Sequence, residues 1–169
     1  MLHVYTGDGK GKTTAAIGLA VRFAGSGKKV CIFQFLKDGT SSELCILQNA
    51  GIKVIPCQTE TKGFFWTMED EEKEKLRQET CKNFFKAKAC ADELDMVVLD
   101  ELAGAISDKL IDKEDVLRFI LEFSQKKEIV ITGRNLPQEI INAADYVSEI
   151  ICVKHPFEKG RMAQKGIEY

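Results

Sequence analysis

The chain has 169 residues, 44% of them hydrophobic and 30% charged, the make-up of one globular domain of roughly 100–200 residues. Lys and Arg number 24 against 26 Asp and Glu, for a net charge of −2. So even a balance lacks the basic surplus that displaces phosphate counterions, and nucleic acid is not an expected partner. Short β-type runs then alternate with helical patterns along the chain. Leu2–Tyr5 reads as a strand and Lys12–Ala24 as a helix stopped by Gly25. Lys29–Phe35 reads as a strand, Ser42–Ala50 as a helix ended by Gly51, and Ile52–Cys57 as a strand followed by a loop through Trp66. A long charged amphipathic helix is expected over Glu69–Glu93, offering a solvated face, and a buried strand over Asp95–Asp100. Lys113–Lys126 reads as helix, Glu128–Thr132 as strand, Pro137–Ala143 as a short helix and Val147–Val153 as the last strand.

Strands of continuous Val/Ile/Leu type between helices imply an α/β fold, with a mostly parallel sheet covered by helices on both faces. No linker or repeat interrupts the pattern, so residues 1–169 are expected to form a single domain. Ligands of such sheets bind beyond the carboxyl ends of the strands. Chemistry is therefore expected in Thr6–Thr14, Gln34–Gly39, Gln58–Trp66, Asp100–Gly104, Thr132–Asn135 and Lys154–Tyr169.

The first of these segments, Thr6-Gly7-Asp8-Gly9-Lys10-Gly11-Lys12-Thr13-Thr14, joins a strand to a helix. Its glycines let successive N–H groups converge on one centre at a helix N-terminus, an anion nest suited to phosphate. Lys12 adds a point charge, and the Thr13 hydroxyl suits Mg²⁺. The spacing departs from G-x-x-x-x-G-K-[ST], because Gly7 stands one residue closer to Gly11 than that pattern places its first glycine. Asp100 and Glu101 end the apolar run Met96–Leu99, where a P-loop protein carries the carboxylates that hold its metal or polarise a water; the plain alternative is Asp100 as a helix N-cap. Arg134 of Thr132-Gly133-Arg134 closes a further strand, and its guanidinium suits triphosphate oxygens, with a surface ion pair as the alternative. Together these residues point to a P-loop domain that binds a Mg–nucleotide.

The sequence resembles the ATP:corrinoid adenosyltransferases of the CobA type almost end to end. The segments that carry the resemblance are YTGDGKGKTTAA (Tyr5–Ala16), QFLK (Gln34–Lys37), GFFWT (Gly63–Thr67), DMVVLDEL (Asp95–Leu102), ITGR (Ile131–Arg134), ADYVSE (Ala144–Glu149) and VKHPFEKGRMAQKGIEY (Val153–Tyr169). The resemblance implies a RecA-like fold and an enzyme in which cobalt(I) of a reduced corrinoid attacks the 5′ carbon of ATP and displaces triphosphate, in adenosylcobalamin biosynthesis or salvage. It also implies a nucleotide bound in a sense reversed from most P-loop enzymes. Gly7, Asp8, Gly9, Lys10, Gly11, Lys12, Thr13 and Thr14 match the family's nucleotide loop, although the family has Asn where this chain has Asp8. Arg22 and Arg134 match its nucleotide arginines, and Thr13 and Glu101, with Asp100, its Mg²⁺ (or Mn²⁺) site. Lys12, Thr13 and Glu101 are the expected catalytic group. Phe64 and Trp66 match the family's aromatic pair, expected to lie under the corrinoid and exclude a lower ligand; without the resemblance they would read as core packing. Family members often carry an extension ahead of the first strand that can cover the active site; here that cover is expected to be absent or supplied by another segment or subunit. His155 matches the family but reads equally as a cap, and His3 as structural.

Two other functions fit the loop: a Mg-dependent P-loop ATPase or kinase with Glu101 activating a hydroxyl, and a regulator that binds without turnover. As partners, a reduced flavoprotein electron donor is expected for such chemistry and a homodimer is implied by the resemblance. The apolar stretches are far below the ~20 residues that span a bilayer, and the N-terminus MLHVYTG carries no secretion signal. None of the six cysteines stands at C-x-x-C spacing. Reduced thiols, a cytoplasmic location and no membrane partner are therefore expected.

Overall fold

A computed structural model describes residues 1–37, 39–57 and 65–167, with only the backbone of Trp66 and Lys159. Six strands form one sheet in the order β3-β2-β4-β5-β1-β6, and every pairing is parallel. They are β1 (Leu2–Thr6), β2 (Val30–Gln34), β3 (Lys53–Pro56), β4 (Met96–Asp100), β5 (Glu128–Thr132) and β6 (Tyr146–Glu149). The helices are α1 (Lys12–Ala24), α2 (Leu44–Asn49), α3 (Asp70–Cys90), α4 (Leu102–Ser107), α5 (Lys113–Phe123) and α6 (Gln138–Ala143).

Alternation along the central strands sends successive side chains to opposite faces. Val30 and Ile32, Met96 and Val98, and Val130 meet Ala16 and Ala20 of α1 and Leu47 of α2. Buried Lys12, Ala16 and Ala20 recur every four residues, so one stripe of α1 faces the sheet and its small side chains let the helix lie close. On the other face Cys31, Phe33, Val97, Leu99, Ile129 and Ile131 pack against Leu76 and Phe84 of α3, Leu102 of α4, Phe119 of α5 and Ile140 of α6. Helices thus cover both faces, as the apolar strand runs predict.

α3 opens with a capping box in which the Glu69 N–H donates to the Glu72 carboxylate at 3.0 Å. The helix stops at Cys90 and tightens into a 3₁₀ turn over Ala91–Glu93, so the expected single helix is two elements. Asp112 caps α5 by accepting from the Glu114 N–H at 2.8 Å.

Leu102–Ser107, to which no element is assigned from the sequence, is helix α4; at six residues it is too short to show a helical period. The last strand is Tyr146–Glu149 rather than Val147–Val153, and all four of its residues are exposed. Beyond Glu149 the backbone leaves the ladder for the first loop: the Ile150 N–H still donates to Thr6, but the Ile150 carbonyl accepts from the Gly9 N–H at 2.7 Å. A parallel sheet gathers every strand's carboxyl end on one rim, here Thr6, Gln34, Pro56, Asp100, Thr132 and Glu149.

Candidate active site

The loop between β1 and α1 holds itself open at this rim. Gly11, just before α1, has φ +119°, and no side chain caps the helix. The first turn carries no acidic residue, so its N–H groups and positive dipole end face outward. A methyl group at Gly7 (φ +97°) would stand 2.4 Å from the Ile150 carbonyl oxygen, and one at Gly9 2.7 Å from the same atom. Both glycines are therefore required by the close approach of the backbone that follows β6. Lys12 is buried, and its ammonium donates to the Gly9 carbonyl at 2.8 Å. Burial is the main cause that lowers its pKa, opposed by Glu101 and Asp8 and assisted by Arg134.

Asp100, 1% exposed, is the hub of the rim. The hydroxyls of Thr13 and Thr132 donate to its Oδ1 at 2.9 and 2.7 Å, and the Lys37 ammonium donates to Oδ2 at 2.7 Å. Lys37 Nζ also lies 3.2 Å from Thr13 Oγ1. A buried carboxylate needs this many donors, because leaving it unpaired away from water is costly. The carboxylate does not cap α4: Glu101 occupies that N-cap position and makes no side-chain cap bond.

Glu101 holds a left-handed conformation, φ +61°, with its N–H donating to Thr132 Oγ1 at 2.9 Å. Such geometry in a non-glycine residue is strained and clusters at functional sites. Its carboxyl pKa is raised, first by burial and then by Asp100, against the pull of Lys37, Lys12 and Arg134. Gly133 (φ +136°) makes room for α4, since a methyl there would lie 2.5 Å from Ala103 Cβ. Arg134, next in sequence, donates to the Asp8 carbonyl at 3.1 Å; its partner is a loop carbonyl rather than a surface carboxylate.

The structure thus brings Gly7, Asp8, Gly9, Lys10, Gly11, Lys12, Thr13, Thr14, Asp100, Glu101 and Arg134 to one rim. The Asp8 carboxylate accepts from the Cys152 N–H at 3.1 Å, and Lys10 donates to the Ile167 carbonyl at 2.8 Å. Both side chains hold the C-terminal segment against the loop. Arg22 does not join the group: it is exposed in the last turn of α1, ten residues beyond Lys12 and ~15 Å along the axis. Phe64 and the Trp66 side chain lie outside the described residues; the Trp66 backbone sits in the 3₁₀ turn Phe65–Thr67. His155 caps the turn Pro156–Lys159, its Nδ1 accepting from the Phe157 N–H at 3.2 Å. His3 bonds Glu128 at 2.8 Å and stacks on Tyr146, a structural role.

Sequence reasoning missed three residues here. Lys37 and Thr132 gain their roles through Asp100. Gln34 is 1% exposed and neither carboxamide atom finds a hydrogen-bond partner among the described residues. It is paired in register with Asp100, so its side chain leaves the sheet on the same face. The available signals were their place just at or after strand ends and, for all three, the family-like segments Gln34–Lys37 and Ile131–Arg134.

The model for the family "ATP:corrinoid adenosyltransferase BtuR/CobO/CobP" matches residues 1–169. The chain belongs to the ATP:corrinoid adenosyltransferase family. Among similar proteins, the corrinoid adenosyltransferase of Escherichia coli K12 is 38% identical over 171 aligned residues, covering 100% of this chain and 85% of the relative. The corrinoid adenosyltransferase CobA of Salmonella typhimurium matches at the same identity and coverage, and that of Pseudomonas aeruginosa at 31%, over 83% of its length. A crystal structure of the flagellar accessory protein FlaH from Methanocaldococcus jannaschii superposes with a TM-score of 0.58 at 16% identity, over 88% of this chain and 69% of that one; that likeness concerns the fold alone. This adenosyltransferase is accordingly an enzyme of the transferase class that uses ATP and a corrinoid. No described helix is long and apolar enough to cross a membrane.

Proposed function

We propose that the β1–α1 loop holds the triphosphate of ATP so that the 5′ carbon faces a reduced corrinoid, and that cobalt(I) attacks this carbon with triphosphate leaving. The observation that carries the reading is the convergence of the uncapped α1 N-terminus, Lys12, Glu101 and Arg134 on one rim. As the C–O bond breaks, negative charge grows on the phosphate oxygens. Fixed N–H dipoles and the Lys12 and Arg134 cations stabilise that charge without reorganising.

The donor set fits a magnesium ion. Thr13 Oγ1 and the Asp100 carboxylate are in contact at 2.9 Å, Glu101 follows directly, and hard cations prefer oxygen. No group of three or more His, Cys, Asp or Glu suited to a metal occurs among the described residues. Few protein ligands suit Mg²⁺, which keeps waters and substrate phosphates in its shell. When bound, the ion would supply charge neutralisation to the leaving triphosphate. Phe64 and Trp66 are proposed to cover the lower face of the corrinoid and keep water from the cobalt.

The reading extends to a reduced flavoprotein as electron donor, since cobalt(I) must be generated. It also extends to a reducing, cytoplasmic compartment, in keeping with the free thiols. A homodimer is supported by the exposed edge strand β6 and the apolar Ile151, Val153 and Phe157 beyond it, each more than half exposed.

The test is to mix protein, ATP, Mg²⁺ and chemically reduced corrinoid without oxygen. A light-sensitive Co–C bond formed together with inorganic triphosphate is the expected result; ADP and phosphate would transfer the site to the ATPase or kinase class. Lys12→Ala should weaken triphosphate binding and slow transfer by about 10²-fold or more, measured as kcat/KM for ATP. Trp66→Ala should impair turnover from cobalt(II) more than from pre-reduced corrinoid, whereas equal losses would mean a general defect.

A further inference from the structure

Thr13 and Asp100 are the pair on which a P-loop protein seats its divalent cation, yet here a side chain of the chain itself, Lys37, contacts both. The Thr13 hydroxyl spends its proton on Asp100 Oδ1, at 2.9 Å, which turns its oxygen lone pairs outward. The Lys37 ammonium occupies that outward position, 3.2 Å from Thr13 Oγ1 and 2.7 Å from Asp100 Oδ2. The contact is partly shielded from water, the Lys37 side chain being 25% exposed and that of Asp100 2%, so screening is weak.

The backbone is built to hold the lysine there. The Phe35 N–H donates to the Asp100 carbonyl at 2.8 Å, fastening the end of β2 to the end of β4. Leu36 then takes φ +54°, an uncommon conformation for a bulky residue. Its side chain lies over Gly104, where an added methyl would come within 2.8 Å of Leu36 Cδ1. That turn folds Lys37 back over the rim onto Asp100.

We propose that Lys37 is a tethered counter-ion that shuts the Thr13–Asp100 pocket to a divalent cation until a polyphosphate is present. A free cation entering alone must displace the ammonium from Asp100 and leave it beside a like charge. A cation arriving with polyphosphate brings oxygens to which the ammonium transfers. Metal and nucleotide therefore bind with positive coupling, equal in both directions by linkage. This inference rests on the metal–nucleotide reading above.

The experiment is a Mn²⁺ titration of the whole protein, followed by the EPR signal of the free ion, with and without ATP and without corrinoid. Wild type should bind Mn²⁺ at least about tenfold more tightly with ATP than without it. Lys37→Met, checked for native circular dichroism, should bind Mn²⁺ without ATP about tenfold or more tighter than wild type, which narrows the gain that ATP brings. Lys37→Arg keeps the charge and should keep the dependence on ATP. Equal Mn²⁺ affinity in wild type with and without ATP overturns the proposal by itself, whether or not the methionine variant folds. Unchanged nucleotide-free affinity in a folded Lys37→Met also overturns it. Failure of Mn²⁺ to bind even with ATP would instead overturn the metal–nucleotide reading.

Discussion

Glu101, next in sequence to the Asp100 hub, and Gln34, its in-register neighbour on β2, carry opposite problems. Burial and Asp100 raise the Glu101 pKa, so the folded protein holds this proton more tightly than the unfolded chain does. The stabilising contribution is complete below the ordinary carboxylate range and is lost as pH rises through the raised value. Above that range Glu101 destabilises the nucleotide-free protein. Glu101→Gln should therefore raise the thermal midpoint at neutral pH, with the gain fading toward about pH 4. An equal gain at both pH values would show that charge is not the cause. Gln34 has two buried polar atoms without described partners. Gln34→Met keeps the volume and removes both, so the nucleotide-free protein should gain about 1–3 kcal/mol in urea unfolding. A lower midpoint would mean that the carboxamide is already satisfied in solution. These residue-level roles could not be read ahead of the fold. An Asp at the end of an apolar strand announces a metal or phosphate site, but nothing local says that Lys37 and Thr132 meet it.

Among the elements, those with strong local signals matched their expected ranges. α1 spans Lys12–Ala24 and β5 spans Glu128–Thr132, because glycines, apolar runs and charge changes mark their ends. The edge strand was misplaced for the opposite reason: an apolar run continues over Ile150–Val153, yet what ends β6 at Glu149 is the pull of the first loop on Ile150. That docking makes a further prediction. Gly7→Ala places a methyl against the Ile150 carbonyl oxygen and strains φ +97°, so it should cost about 1–3 kcal/mol and speed proteolysis of the segment after Glu149. Wild-type proteolysis rates would show that the loop does not hold that segment.

For the whole molecule, the cysteines report how binding spreads through the fold. Cys31 is buried in the sheet, its thiol pushed up to about 12 by burial, and burial also raises Cys57. Cys45 is exposed. A thiol reagent should label Cys45 at once and reach Cys31 and Cys57 only through unfolding. Ligand at about a hundred times its Kd adds about 2.7 kcal/mol to the folded state, so Mg–ATP should slow Cys31 labelling about a hundredfold. Labelling that ignores nucleotide would separate the site from global stability.

The amino-acid order by itself determined the α/β class, the parallel sheet, the glycine-rich loop after β1, the two carboxylates at the end of β4 and the family. All of these are written in contiguous residues or in short apolar periods, where local sterics and hydrogen bonding decide the outcome. Only the tertiary structure decided that Lys37 sits on Asp100, that Arg22 stands at the far end of α1, and that the chain beyond β6 closes over Gly7 and Gly9. Those facts join residues far apart in sequence, and an ion pair or a close backbone approach depends on where the sheet order brings strand ends together, which no local pattern encodes.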